Sequence, residues 1–208
     1  IKLIWIMGTN PVVSLPDADR VKAALAGAEC VIVSDCIADT DTNRLAHIKL
    51  PARGWGEKDG TVTNSERRIS RQRGFLAAPG EAMPDWWIIT RVAQALGYEA
   101  AFAYQSAAEV FAGFENSPGG ILRDFDISAL AGLDAERYDH LQPVQWPVRL
   151  GRPDGQMRLF ADGGFFTPDR KARLLPVKPR APHNPTCADY PFVLNTGRIR
   201  DQWHTMTR

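Results

Sequence analysis

The sequence predicts an α/β domain, a parallel sheet with flanking helices, followed after a linker by the start of a new strand. Three observations predict it. A short apolar, β-branched run at residues 2–7 stops at Gly8. A second run, residues 29–34, stops at Asp35. Between them, residues 17–25 carry Val21, Ala24 and Leu25 on one helical face, and Gly27 closes the helix. Two strands of buried type joined through one helix form a β-α-β unit, whose strands are parallel and whose crossover is right-handed.

The remaining elements follow in order. Ser14 to Asp17 has the spacing of a capping box, with Pro16 inside the first turn. Residues 42–45 suit the start of a further helix, and residues 46–50 alternate like an edge strand. A polar, glycine-rich loop at residues 54–61 leads into an alternating stretch to Arg73 that predicts a hairpin turning at Asn64-Ser65. Residues 84–96 predict a helix with Trp87, Ile88, Val92 and Leu96 as its apolar stripe, and residues 106–114 another. Turn signals at residues 153–155 and 162–164 predict short strands over 151–177. Pro176, Pro179, Pro182, Pro185 and Pro191 mark a linker, after which Phe192-Val193-Leu194 opens a new strand. The division is therefore 1–150 for the α/β domain, 151–185 for short strands and the Pro-rich linker, and 186–208 for the first strand and loop of a second domain.

Composition excludes several classes. The net charge of +1 gives no general electrostatic basis for binding nucleic acid or an anionic membrane. No apolar stretch approaches the ~20 residues that span a bilayer. Cys30, Cys36 and Cys187 form no CxxC pair, so neither a disulfide framework nor an iron–sulfur or zinc cradle is indicated. His47, His140, His183 and His204 lie at no ligand-like spacing, and the hydrolase and metalloprotease motifs are absent. No catalytic residue and no metal ligand is nominated. Asp124 and Asp126 read as a solvated loop.

Several stretches could bind a ligand, and each has an ordinary alternative. Gly8, Thr9 and Asn10 follow the first strand, where an open α/β sheet meets its ligands; the same residues make an ordinary turn. Ser34 and Asp35 end the second strand, where a carboxylate can accept from the N1–H and 2-amino groups of guanine, or simply form an Asx turn. Lys58 offers a point charge for phosphate, or sits at a hairpin tip. The basic stretch at residues 66–73 lacks interleaved aromatics and is expected to form ion pairs or face another part of a larger protein. Residues 194–205, with Thr196, Gly197, Arg198, Trp203, His204 and Thr205, are rich in hydrogen-bonding groups suited to a polar heterocycle or to a surface loop.

Taken in order, the strings WIMGTNPVVSLPDADRV, GWGEKDGTVTNSERRISRQR, PGEAMPDWW, RLFADGGFFTPDRKARLLPV and LNTGRIRDQWHTMTR resemble the molybdopterin-dinucleotide oxidoreductases of the dimethyl sulfoxide reductase superfamily. The similarity is greatest to bacterial assimilatory nitrate reductases, with formate dehydrogenases as close relatives. It implies an internal piece of a four-domain subunit, the α/β dinucleotide-binding-like third domain followed by the start of a β-rich, barrel-like fourth, consistent with a sequence that opens without Met inside an apolar run. The implied cofactor is molybdenum bound by two pyranopterin guanine dinucleotides. Asn10 would contact a dinucleotide, Ser34 and Asp35 would read a guanosine, and Lys58 and Asp85 would add polar contacts. Residues 196–205 would hold the pterin and its phosphate. The iron–sulfur cluster and the protein ligand to molybdenum would lie outside this chain. Implied partners are the remaining domains and an electron donor, and the implied location is the cytoplasm. The isolated piece is expected to be inactive. His47, Lys49 and Arg170 depart from the family's pattern, where an acidic residue, an apolar residue and a turn glycine are usual. The rival expectations are a formate dehydrogenase, a non-catalytic guanine-nucleotide-binding module, and a scaffold domain without a ligand.

Overall fold

The structure, a computed structural model, describes residues 1–115 and 124–194. It divides into two compact units, Ile1–Phe166 and Thr167–Arg208. The first unit opens with the expected β-α-β frame. Strand β1 (Leu3–Met7) leads through the short helix α1 (Pro11–Ser14) and helix α2 (Ala18–Ala26) to strand β2 (Cys30–Asp35), and strand β3 (Ile48–Pro51) follows. All pairings are parallel, in the order β1-β2-β3.

The register decides which residues share a face. Ile6 pairs with Val33, and Ile4 with Val31. These side chains join Leu25 and Ala28 in one core, against which Val12, Val21, Leu45 and Ala46 pack. Val31 is 0% exposed and Val33 2%, as expected of the central strand in a three-strand sheet. The other face, Leu3, Trp5 and Met7 beside Ile32 and Ile48, is as apolar but largely open. Leu3 is 58% and Ile48 46% exposed.

The alternating stretch forms the expected hairpin. Strand β4 (Gly60–Thr63) pairs antiparallel with β5 (Arg68–Gln72), which also pairs with the short β6 (Val144–Gln145). Asn64 closes the turn by accepting from the Glu66 and Arg68 amides, both at 3.0 Å. Helices α3 (Asp85–Ala95), α4 (Ala107–Glu115) and α5 (Ala135–Asp139) complete the unit. A second core gathers Ile69, Ile127, Leu130, Val144 and Val148, with Phe111, Phe125 and Trp146 packed against it.

Several expectations are corrected. The capping box does not form, because Ser14 is the last residue of α1 and cannot also cap α2. Asp17, left-handed at φ 57°, begins α2 instead, without a side-chain cap. Residues 42–45 make only a 3-10 turn, Asn43–Leu45. In α3 the buried residues are Ile88, Thr90 and Ala93, whereas Trp87 and Leu96 are exposed. Over residues 151–177 turns replace strands. Gly155 and Gly163 amides bond to Arg152 and Phe160 carbonyls, and the one bridge is Arg149 with Arg152. Phe192, Val193 and Leu194 are exposed and pair with no strand among the described residues. A strand exists only where a neighbouring ladder takes its backbone groups. Asp126 is no solvated loop residue: its carboxylate accepts from the Ser128 amide at 3.0 Å and pairs with Arg149 at 3.6 Å.

The departures at His47 and Arg170 have local accounts. His47 Nδ1 accepts from the Val31 amide at 2.9 Å, and the His47 amide donates to the Val31 carbonyl at 2.8 Å, so this side chain extends the β2–β3 ladder. Arg170 adopts the left-handed conformation, φ 61°, that a glycine would adopt without strain. Replacing Val31 with Ala should cost about 2 kcal/mol, from lost burial and an unfilled cavity. Leu3→Ala, on the open face, should cost less than half of that. Urea unfolding midpoints of the two variants test the difference between the faces.

Candidate functional site

The candidate residues gather at the carboxyl edge of the parallel sheet. Parallel pairing brings the ends of the strands side by side: Met7 is registered with Ser34, and Asp35 with Pro51. Gly8, Thr9 and Asn10 therefore leave β1 next to the point where Ser34 and Asp35 end β2. The Gly8 amide donates to the Ser34 carbonyl at 2.9 Å, closing that corner. Gly8 holds φ +58° with nothing within 4 Å of where a Cβ would lie, so it supplies a left-handed turn at an open surface.

The edge continues beyond β3. Ala52 bridges Met83 in parallel, the Met83 amide donates to the Pro51 carbonyl, and the Arg53 amide donates back to Met83. Helix α3 starts two residues after that bridge, so Asp85 in its first turn belongs to the same edge. Lys58 reaches it from the glycine-rich loop and pairs with Asp85 at 3.2 Å, both side chains being partly exposed. Burial, with the Asp35 carboxylate adding to it, pushes the Cys36 thiol up. Gly8, Thr9, Asn10, Ser34, Asp35, Lys58 and Asp85 are thus brought to one edge. Thr196, Gly197, Arg198, Trp203, His204 and Thr205 lie outside the described residues.

Not all of these groups are equally available. Ser34 is 1% exposed, and its Oγ accepts from Trp5 Nε1 at 2.8 Å. Asp35 accepts from the Ile37 amide at 3.0 Å, the Asx turn weighed from the sequence, and this fixes the carboxylate at the edge. Asn10 is bound through its carbonyl oxygen to Thr42, a fully buried residue that sequence reasoning passed over. Nothing in the local string Thr40-Asp41-Thr42-Asn43 separates this threonine from a loop hydroxyl; only the fold brings it to Asn10.

The loop bearing Lys58 is braced. Glu57 accepts from the Gly54 amide at 2.8 Å, and Gln72 donates to the Trp55 carbonyl. Arg71, whose side chain is 3% exposed, bonds Asp59 at 2.9 Å, Asp139 at 3.0 Å and the Gly60 carbonyl, and lies 4.2 Å over the Tyr138 ring. Burial pushes its guanidinium down, but the bonds to Asp59 and Asp139 outweigh burial and hold it above its ordinary range. Arg73 also pairs with Asp139, at 3.4 Å, and Arg67 donates to the Trp146, Gln156 and Met157 carbonyls. The basic stretch is therefore an internal clamp, as the ion-pair expectation has it. A cavity of about 300 Å³ lies beside it, lined by Thr61, Ile69, Phe111, Phe125, Ile127 and Tyr138. That cavity is mostly apolar, and its lining also takes in Asp59, Gly60 and Trp86, the chain neighbours of Lys58 and Asp85.

The edge is rich in hydrogen-bond donors and acceptors, with the Lys58 ammonium beside the Asp85 carboxylate. Among the described residues no group of His, Cys, Asp and Glu could hold a metal ion, and no helix is long and apolar enough to cross a membrane. Such an edge suits a polar ligand such as a nucleotide or dinucleotide, read through oxygen and nitrogen atoms.

Comparison with known proteins agrees in class. Residues 1–95 match the family model described as Molybdopterin oxidoreductase. Over its whole length the chain is 54% identical to a nitrate reductase of Klebsiella oxytoca, covering 24% of that protein. It is 44% identical to a nitrate reductase of Shewanella frigidimarina, covering 23%. It is 36% identical to an F420-dependent formate dehydrogenase subunit alpha of Methanocaldococcus jannaschii, covering 29%. The fold resembles acetylene hydratase from Pelobacter acetylenicus, with a TM-score of 0.57 and 20% identity over 82% of this chain and 21% of that one. The chain is similar to the molybdopterin oxidoreductases, and it spans about a quarter of the length of the curated nitrate reductases that it matches.

The clamp makes one prediction. Its bond to Arg71, with Arg73 adding to it, holds the Asp139 carboxyl below the usual carboxylate range. A carboxylate with a lowered folded-state pKa stabilises the fold above its unfolded value, about 3.9, and that stability is lost as pH falls through the lowered value. Urea midpoints at pH 7 and pH 3 should therefore fall less in Asp139→Asn than in the unsubstituted protein. An equal fall would remove Asp139 from the clamp.

Proposed function

We propose that this chain is the part of a molybdenum-dependent nitrate reductase that holds one guanine-dinucleotide arm of a molybdenum bis(pyranopterin guanine dinucleotide) cofactor. The observation that carries this reading is the convergence of Gly8, Asn10, Asp35, Lys58 and Asp85 on one edge of a parallel sheet. Asp35 accepts from the N1–H and 2-amino group of guanine, which adenine does not present. Lys58 offsets diphosphate charge, and Asp85 holds the Lys58 ammonium in place. Gly8 lets the cofactor approach the main chain. Residues 196–205 take the pterin end, and residues 1–150 form the dinucleotide-binding domain ahead of a second, β-rich one.

When bound, the molybdenum and its dithiolene ligands supply the redox chemistry, a two-electron reduction of nitrate to nitrite by oxygen-atom transfer. The residues of this chain bind and orient; the remainder of the parent supplies the molybdenum ligand, the iron–sulfur cluster and the docking site for an electron donor. The bare apolar sheet face supports this division. Parallel sheets are covered on both faces, and three-quarters of the length of the nitrate reductases is left to cover this one. The resemblance to assimilatory nitrate reductases supports a cytoplasmic enzyme.

The formate dehydrogenase relatives make formate the competing substrate. Purification of the complete parent decides between them: with a reduced dye it should turn nitrate into nitrite, and acid hydrolysis should release guanosine monophosphate. Formate-dependent dye reduction without nitrate activity would overturn the substrate. Release of another nucleotide, or of none, would overturn the role of Asp35. Binding of guanosine diphosphate by this chain alone, independent of molybdenum, would favour a nucleotide-binding module instead.

A further inference from the structure

The Asn10 side chain carries a donor and an acceptor, and the structure commits one of them. Two atoms of Thr42 face its amide: the backbone nitrogen at 3.3 Å and the hydroxyl at 2.6 Å. A backbone N–H only donates, so the Asn10 atom that meets it is the carbonyl oxygen, Oδ1. The hydroxyl gives the same answer. It already accepts from the Val12 amide at 3.3 Å, which leaves its own hydrogen to give to Asn10. Thr42 is 0% exposed, so no water competes for these bonds.

With Oδ1 turned inward, the Asn10 NH2 is on the opposite branch of the amide, and among the described residues it meets no protein acceptor. Asn10 also stands at the N-terminus of α1 without capping it through its side chain. We infer that Thr42 is a positioning residue that presents Asn10 to a ligand at the sheet edge as a donor only, suited to a phosphate or carbonyl oxygen. This rests on the reading of the edge as a dinucleotide site, and it names which atom of Asn10 does the binding and what fixes it. A free asparagine could turn over and offer its oxygen instead; the buried threonine removes that alternative.

The test uses the complete, cofactor-loaded enzyme and follows loss of the bound cofactor as pterin fluorescence appearing in solution. Thr42→Val keeps the shape and removes the hydroxyl. It should speed release about 3- to 10-fold, the factor carried by one net hydrogen bond, and Thr42→Ser should restore the original rate. In an Asn10→Ala background, Thr42→Val should add nothing further, because Thr42 acts through Asn10. Additive effects of the two substitutions would mark Thr42 as a merely structural residue and overturn the inference.

A second comparison does not depend on how well Thr42→Val folds. Asn10→Asp can still accept from Thr42, but it turns an oxygen towards the ligand. It should release cofactor faster than Asn10→Ala. Release from Asn10→Asp at the unsubstituted rate would mean that Asn10 serves as an acceptor, contrary to the inference. If Asn10→Ala itself leaves release unchanged, Asn10 does not touch the ligand and the inference falls while the site reading stands on Asp35 and Lys58. If the unsubstituted enzyme yields no pterin at all, the reading of the edge falls, and the inference with it.

Discussion

Everything at the candidate site depends on the in-register parallel pairing of three short strands. Because β1, β2 and β3 run the same way, their carboxyl ends lie on one side, and the loops that leave them must meet there. An antiparallel β2 would send Ser34 and Asp35 to the opposite edge from Gly8 and Asn10. The pairing is held by burial of Val31 and Val33 under α2, and by the His47 side chain and amide, which bond both backbone groups of Val31. A one-residue slip of β2 would carry Val31 and Val33 to the open face and Ser34 away from Met7.

Upon that frame the polar residues divide into those that bind neighbours and those left open at the candidate site. Thr42, Trp5 and Arg71 belong to the first group. Each is engaged from within the fold, and each fixes a residue nearer the edge: Asn10, Ser34 and the loop of Lys58. Preorganisation of this kind matters because a ligand group pays less when its partner is already held in one orientation. The clamp around Arg71 is far from β1 in sequence, but it sets where the glycine-rich loop sits and so where the cation of the site is.

The β-α-β frame, the hairpin and the helix at residues 85–95 were legible because periodicity and bounding glycines or prolines report local chain direction. So were the loops at the sheet edge, since strand ends are read directly from where apolar runs stop. What was not legible depended on contacts distant in sequence. Thr42 meets Asn10 across 32 positions and Trp5 meets Ser34 across 29, and no local pattern announces either. The capping box failed because α1 claims Ser14 first, and turns at residues 153–155 and 162–164 said nothing about whether flanking residues would find a strand to pair with. The apolar stripe of α3 misread Trp87 and Leu96 as core, since hydrophobicity alone does not say which protein surface covers a residue. The contacts proposed for residues 196–205 come from the family resemblance and lie outside the described residues.

The central claim is that one edge of one sheet receives the cofactor. Hydrogen–deuterium exchange on the complete enzyme, prepared with and without its cofactor, addresses it directly. Three separate stretches, residues 7–10, 34–37 and 54–59, should gain protection together on loading, while α2, on the buried face of the sheet, should not change. Loading that leaves those three stretches unchanged, or that protects them no more than the rest of the chain, would contradict the account.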